Sequence, residues 1–302
     1  MRKSISIFFV FLCIFLMEIA AALSGKAYAS AWKTCDKYSI EGNYYKAIKW
    51  GLIAARKSPK SPLAFECLGN AYYAVGYYGS SINMLKAATV IPFSMQYNKM
   101  SEYAGIARDY YRLGDLNNAL LYDFKSIKSL ESLNNTERNA YLGSESPVLN
   151  QMASIYYKTG YKNKSINYGA KAVSYARRGI SFLRNEEGSI NASGIPRIYY
   201  NLYKSSYAYD FMNVGEGYIY TGDYLKAKKY LLKALKMQKE IGGSGSNYFE
   251  TLDYINLSKL YKIEGNYKKA ISCYKKIYVL YNKRGNLLRA RYYLHLIYRA
   301  TH

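Results

Sequence analysis

Residues capable of catalysis are few and scattered along this chain. His295 and the terminal His302 are the two histidines, and neither has a serine or cysteine at the spacing of a nucleophile–base pair. Glu186-Glu187 comes nearest to the paired carboxylates of acid–base chemistry, but it sits in the polar stretch RNEEGSINASG, where solvation accounts for it. No HExxH motif, no phosphate-binding loop and no GxGxxG opening a helix after a strand occurs. The cysteines form no CxxC and have no neighbouring histidine, so no zinc site is indicated. The sequence implies no enzyme activity, no metal and no cofactor.

The chemistry of binding is far better supplied. Lysine and arginine number 43 against 20 acidic residues, a formal charge of +23, and there are 38 tyrosines. Arginine and lysine grip carboxylates and phosphates, and tyrosine offers large, stiff contact area at small entropic cost. The charge suits anionic partners in general: an acidic protein, an anionic membrane face, an envelope polymer or nucleic acid. A solvated basic surface with no ligand is equally compatible with it. So many tyrosine hydroxyls need an edge position beside water or a partner, which favours a thin, elongated molecule over a globule.

The N-terminus has the organisation of a secretory signal. Arg2 and Lys3 precede the apolar run Ile5 to Met17, broken only by Ser6, and Ala27-Tyr28-Ala29 supplies a small-x-small cleavage site before Ser30. The run is short for a bilayer span, which takes about 20 residues. Residues 1–29 are therefore expected to be a signal peptide, and the rest to be exported to the periplasm or secreted. An uncleaved anchor facing the periplasm is the alternative. Three cysteines then remain, Cys35, Cys67 and Cys273. The odd count excludes a complete disulfide framework, and the expectation is three buried thiols acting as small hydrophobes, with a disulfide or metal site as the alternative.

The positioning elements follow from an internal repeat. A small residue, Tyr three later, Gly four after that, usually an aromatic or Leu two on, then Ala or Ser three on, recurs six times. The instances are Cys35-Tyr38-Gly42-Tyr44-Ala47, Gly69-Tyr72-Gly76-Tyr78-Ser81 and Ala107-Tyr110-Gly114-Leu116-Ala119. The others are Ala153-Tyr156-Gly160-Lys162-Ser165, Gly215-Tyr218-Gly222-Tyr224-Ala227 and Ser258-Tyr261-Gly265-Tyr267-Ala270. The small residue and the Tyr lie one turn apart on a first helix. Gly ends that helix in the left-handed region. Asn43, Asp115, Asp223 and Asn266 are placed to cap a second helix. Each unit is a helical hairpin with one apolar side, stable only when stacked on its neighbours.

This pattern resembles the tetratricopeptide repeat (TPR), including the later small residues Ala54, Ala88, Ala172 and Ala234 and the repeat-ending Pro59. The resemblance covers roughly residues 30–300. Gly-to-Gly intervals are 34, 38, 46, 62 and 43. The longer ones resemble the extended repeats of kinesin light chains and Leu-Gly-Asn (Pins-type) scaffolds, as do Tyr230 to Gly242 and Tyr274 to Gly285. The resemblance implies an all-α superhelix: repeats 1–4 over 30–183, an inter-block loop at 184–196, repeats 5–6 over 197–284, and a capping helix over 285–302. That last helix carries Leu288, Tyr292 and Leu296 on one side with Arg289, Arg291 and Arg299 elsewhere, a pattern also compatible with peripheral membrane contact.

In such arrays the first helices line the concave face. The groove positions this implies are Asn70 and Tyr73; Arg108, Tyr111 and Arg112; Asn150, Gln151, Tyr157 and Lys158; Asn213, Glu216 and Tyr220; and Asn256, Lys259 and Lys262. Asn213 and Asn256 match the asparagines with which kinesin-light-chain-like repeats hold extended peptides. The chain is thus expected to be an exported scaffold or adaptor that binds extended, acidic peptide segments of partner proteins. An anion-binding module for an envelope polymer, lipid headgroup or nucleic acid is the second reading, nucleic acid being disfavoured by export. Self-association through open solenoid ends is the third.

Overall fold

The computed structural model describes residues 31–91, 96–133, 135–192 and 197–301. Within them the chain forms helices and no strand. These are α1 (31–40), α2 (Tyr44–Lys57), α3 (Pro62–Val75), α4 (Tyr78–Thr89), α5 (Gln96–Leu113), α6 (Leu116–Glu131) and α7 (Asn135–Lys158). Then come α8 (Lys162–Ala192), α9 (Arg197–Thr221), α10 (Tyr224–Ile241), α11 (Gly243–Ile263), α12 (Tyr267–Lys283) and α13 (Leu287–Thr301). Consecutive helices pack in pairs, and the pairs stack into an α-α superhelix.

Local chemistry explains the hairpins. All six motif glycines take positive φ, between 71° and 92°, a region closed to most L-residues. The next residue caps the second helix in four repeats: Asn43, Asp115, Asp223 and Asn266 accept from the backbone N–H groups of Lys46, Asn118, Lys226 and Lys269. The small motif positions of the second helices, from Ala47 to Ala270, are fully buried and let the two backbones approach. The motif tyrosines keep their rings in the packing and their hydroxyls at its edge. Lys86 donates to the Tyr110 hydroxyl at 2.9 Å, and Arg177 donates to that of Tyr218 at 2.6 Å.

The long Gly-to-Gly intervals are taken up by helix. α7 has 24 residues, α8 has 31 and α9 has 25. The stretch expected as a loop from 184 is therefore helical as far as Ala192; residues 193–196, with Pro196, lie outside the described residues. Nothing before Pro196 forbids helix, because Gly188 weakens one without ending it. The chain is tightly packed here: a Cβ on Gly217 would come within 2.9 Å of the Gly169 carbonyl and 2.7 Å of Val173, so α8 and α9 cross almost backbone to backbone.

Two expectations are corrected. Cys35 and Cys67 form a disulfide, Cα atoms 6.4 Å apart, leaving Cys273 as a buried thiol. An odd count leaves one cysteine over without preventing the other two from pairing. Their separation of 32 is close to the first repeat interval, which sets them side by side on α1 and α3. The solenoid ends are not open either. Asn286 Nδ2 donates to the Ala74 carbonyl at 2.6 Å and Arg289 Nε to the Tyr78 hydroxyl at 2.7 Å, across more than 200 residues of sequence. The Arg284 guanidinium hydrogen-bonds the Tyr44 hydroxyl. The superhelix closes on itself, with α13 against the α2–α4 region.

Candidate binding cavity

Ring closure converts the concave groove into a central cavity of about 680 Å³. Its wall is built mainly from the odd-numbered helices α3 to α13, the first helices of successive hairpins, with Tyr274 contributed by α12. Tyr73, Arg108, Tyr111, Arg112, Gln151, Tyr157, Lys158, Asn213, Tyr220, Asn256, Lys259 and Lys262 all line it. Asn70 does not: it is exposed, and α3 reaches the cavity at Tyr73, close to its C-terminal end. Asn150 is buried behind the wall, where its Nδ2 donates to the Asn213 carbonyl at 3.0 Å.

The wall is cationic. Arg108, Arg112, Lys158, Lys259, Lys262 and Arg289 face one carboxylate, Glu216, which Lys259 already neutralises at 2.9 Å. Lys259 also donates to Asn256 Oδ1 at 3.0 Å, so that amide is engaged within the wall. Asn213 is different. It is fully buried, and neither Oδ1 nor Nδ2 has a hydrogen-bond partner. Arg108 stacks on the Tyr73 ring at 3.5 Å, yet its Nε and Nη2 also lack hydrogen-bond partners; the Asp109 carboxylate stands off at 3.9 Å. Leaving such groups unmade costs about 1–3 kcal/mol each.

The field of these cations reaches the tyrosines. Burial alone would push the Tyr73 phenol up, but the Arg112 and Arg108 guanidiniums outweigh it and hold the group at about 8. Burial likewise works against Tyr111, and Lys259 and Lys158 still leave its phenol below the usual range. Tyr111 shares a 2.7 Å hydrogen bond with Ser154, and Lys158 Nζ lies 4.2 Å from the Tyr111 ring centroid. The arrangement can bind an anion, stack apolar or aromatic groups, and satisfy a peptide amide at Asn213.

Sequence reasoning missed Tyr209, Tyr248 and Arg289, all on the wall. Tyr209 lies midway along the lengthened α9 and Tyr248 on the second turn of α11, both ahead of the repeat register. Arg289 belongs to a helix expected only to cap the array; the Gly285-Asn286 turn, with Asn286 capping α13, was the available signal. His295 is exposed on α13, while His302 and residues 1–29, expected to be a signal peptide, lie outside the described residues. Glu186 and Glu187 fall within α8, in a part of it whose side chains lie outside the described residues. Among the described residues no group of three or more potential metal ligands is gathered, and no helix is long and apolar enough to cross a membrane.

Comparison with known proteins agrees with this architecture. The family model described as tetratricopeptide repeat matches residues 146–178, 211–241 and 254–287. Among curated proteins nothing matches. The apo form of the quorum sensor NprR from B. thuringiensis superposes with a TM-score of 0.52 at 13% identity, covering 92% of this chain and 77% of that one. The APC/C hetero-tetramer Cut9–Hcn1 gives 0.51 at 12% identity, over 91% of this chain and 43% of that one. TPR-like repeats of a putative kinesin light chain from Podosopora anserina give 0.44 at 14% identity, over 70% and 94%. With six copies of the motif, the left-handed glycine turns and the stacked hairpins, this chain is a tetratricopeptide-repeat protein.

Proposed function

We propose that the chain is an exported, non-catalytic adaptor that captures an extended acidic peptide segment of a partner protein in its central cavity. One observation carries the reading. A cationic wall holds guanidinium nitrogens at Arg108 without hydrogen-bond partners and, buried just beneath its surface, an unpartnered amide at Asn213, with its one carboxylate already neutralised. A peptide backbone supplies both the donor and the acceptor that a buried amide lacks, and an acidic side chain supplies the oxygens for the guanidinium. Tyrosines along the wall provide the apolar contact between those anchors. A TPR array commonly serves as a protein-binding scaffold, and this use fits it. Export is supported by the signal-like N-terminus and by the Cys35–Cys67 disulfide, a bond that persists in oxidising compartments.

Selection of a random decapeptide library on the full chain tests the reading. Asp- and Glu-containing sequences are expected to enrich, and Asn213→Ala or Arg108→Gln to weaken the selected peptides about tenfold or more. Asn256→Ala should matter less, because its carbonyl is held by Lys259. Recovery of no acidic sequence would sink the proposal. Tight binding of a polyanion, with affinity falling steeply in salt along a log–log line, would favour the anion-module alternative.

A further inference from the structure

The seam where the ring closes holds a second, smaller cavity of about 20 Å³, room for a water-sized group. Arg112 from α5, Arg284 at the end of α12 and Arg289 from α13 all line it, with Tyr73, Tyr78 and Tyr248 among the others. No carboxylate is among the lining residues. Arg289 Nε is used by the Tyr78 hydroxyl, Arg284 reaches Tyr44, and Arg112 faces the Tyr73 phenol. Arg284 Nε is buried with no hydrogen-bond partner. Three guanidiniums, one from α5 on the N-terminal side of the seam and two from the C-terminal side, thus converge with mainly phenols and amides around them. Buried positive charge without a counter-charge is costly, and here the cost falls on the contacts that hold the ends together. The nook shares Tyr73, Arg112, Tyr248 and Arg289 with the main cavity, so a group held in the larger space can reach into it.

We propose that Arg112, Arg284 and Arg289 form an oxyanion site, taking an oxygen of a carboxylate or phosphate group, and that an oxyanion held there locks the ring closed. Empty, the seam relies on neutral and singly charged hydrogen bonds between like-charged ends; occupied, it gains a shared anion that both ends grip. The cavity then opens at the seam to load and shuts once an anion sits in it. The site stands apart from the peptide reading: small oxyanions would lock the seam even if no peptide enters the main cavity.

The test uses the full chain with nitroxide labels at Leu52→Cys on α2 and Val279→Cys on α12, both exposed positions, the native thiol Cys273 being buried. Pulsed electron resonance is recorded in chloride, then with inorganic phosphate or acetate added at matched ionic strength. The expected result is a broad distance distribution in chloride that narrows to one short distance as the oxyanion is titrated. Narrowing by acetate alone assigns the site to carboxylates, by phosphate alone to phosphates, and by both to oxyanions generally. Arg284→Gln should weaken the titration about tenfold, Arg284→Lys should recover part of it, and Arg299→Gln, an exposed charge on α13, should change nothing. Circular dichroism at 222 nm verifies that each variant folds. If neither oxyanion alters the distances, or if folded Arg284→Gln titrates like the parent, the proposal is wrong.

Discussion

The two halves of the ring bury their residues in different ways. From α8 onward the packing is one continuous apolar cluster, running from Val173 and Ala176 through Leu231, Leu257 and Ile277 to Ala290 and Tyr293. Towards the N-terminus it breaks into small islands. One is Ala31 with Ala54 and Ala64, another Cys35 with Ala47 and Ala71, and a third Ile82 with Leu85 and Ile106. Between the islands lie buried carboxyl groups: Glu102 and Asp109 on α5, Asp123 on α6, Glu145 on α7. In a stacked array each hairpin contributes through its neighbours, so a divided core predicts a half that opens at lower free energy than the other. The family model matches only from residue 146 onward, which places it mostly on the continuous side. The disulfide sits within one of these islands.

Raising the pH should separate the halves most. Burial pushes Glu102 up to about 7, with Glu66 adding to the effect and Lys99 opposing it. Burial also raises Asp109 to about 6 against Arg108 and Arg112, and Glu145 to about 8. For Glu145 burial outweighs the one contact that opposes it: the Ser126 hydroxyl donates to Oε1 at 3.3 Å, but that donor is shared with the Met100 carbonyl at 2.9 Å. These carboxyls bind protons more tightly folded than unfolded. Their contribution is intact below about pH 4, the unfolded value, and is lost as pH climbs through 6 to 8. Asp210, raised to about 7, and the buried Asp253 do the same in the other half, but with fewer partners in kind. Hydrogen exchange at pH 5 and pH 8 should show protection falling in α5–α7 by roughly several kcal/mol, and less in α10–α12. Equal loss in both halves, or a gain, would break the comparison.

A core truncation comes next in size. Leu231→Ala, fully buried in the continuous cluster, should cost about 3–5 kcal/mol and destabilise α9 to α12 together. Ile106→Ala, equally buried but in an island, should cost about 2–3 kcal/mol and leave the C-terminal half intact. Reducing the Cys35–Cys67 bond, or Cys35→Ser, should cost about 3 kcal/mol for a loop of this length and be felt in α1–α4. Chemical denaturation followed by limited proteolysis distinguishes these cases, because the protected fragment names the surviving half.

The contrast also shows what could be read from the residues alone. Tyr-x-x-x-Gly with small flanking positions fixes each hairpin locally, and it located the first helices well enough to put Arg108, Tyr111 and Asn213 on one inner wall. Ring closure left no such trace. It depends on Asn286 meeting Ala74 and Arg289 meeting Tyr78, pairs with no periodic relation and an outcome of small angles accumulated over every hairpin. The buried carboxyls were illegible for a related reason. Glu102 and Asp109 look like ordinary surface acids until the next hairpin covers them. The disulfide was legible in principle, since 32 residues is nearly one repeat, but counting cysteines obscured what spacing offered. Asn70 shows the limit of register itself, because the array turns it outward although Tyr73, one turn on, faces in.

The smallest expected effect gives the sharpest form of the comparison. Asn43 and Asn266 occupy the same motif position and cap their helices alike, accepting from Lys46 and Lys269 backbone N–H groups at 3.4 and 3.2 Å. Replacing either with Ala removes the same local contact, at a cost of about 1 kcal/mol. If the halves differ only in how their cores are joined, the two variants should lower total stability about equally and yet behave differently. Asn266→Ala loosens a helix tied into the continuous cluster, so its loss is shared and shows in global unfolding. Asn43→Ala loosens α2, which rests on an island and a disulfide, so the loss stays local and appears as faster exchange of α1 and α2 alone. Reduction should double the contrast, since without the Cys35–Cys67 link α1 loses its covalent tie to α3 and α2 keeps only its packing. Should Asn43→Ala spread its effect to α10–α12, the N-terminal islands would have to be coupled through the seam, and the ring would behave as one unit.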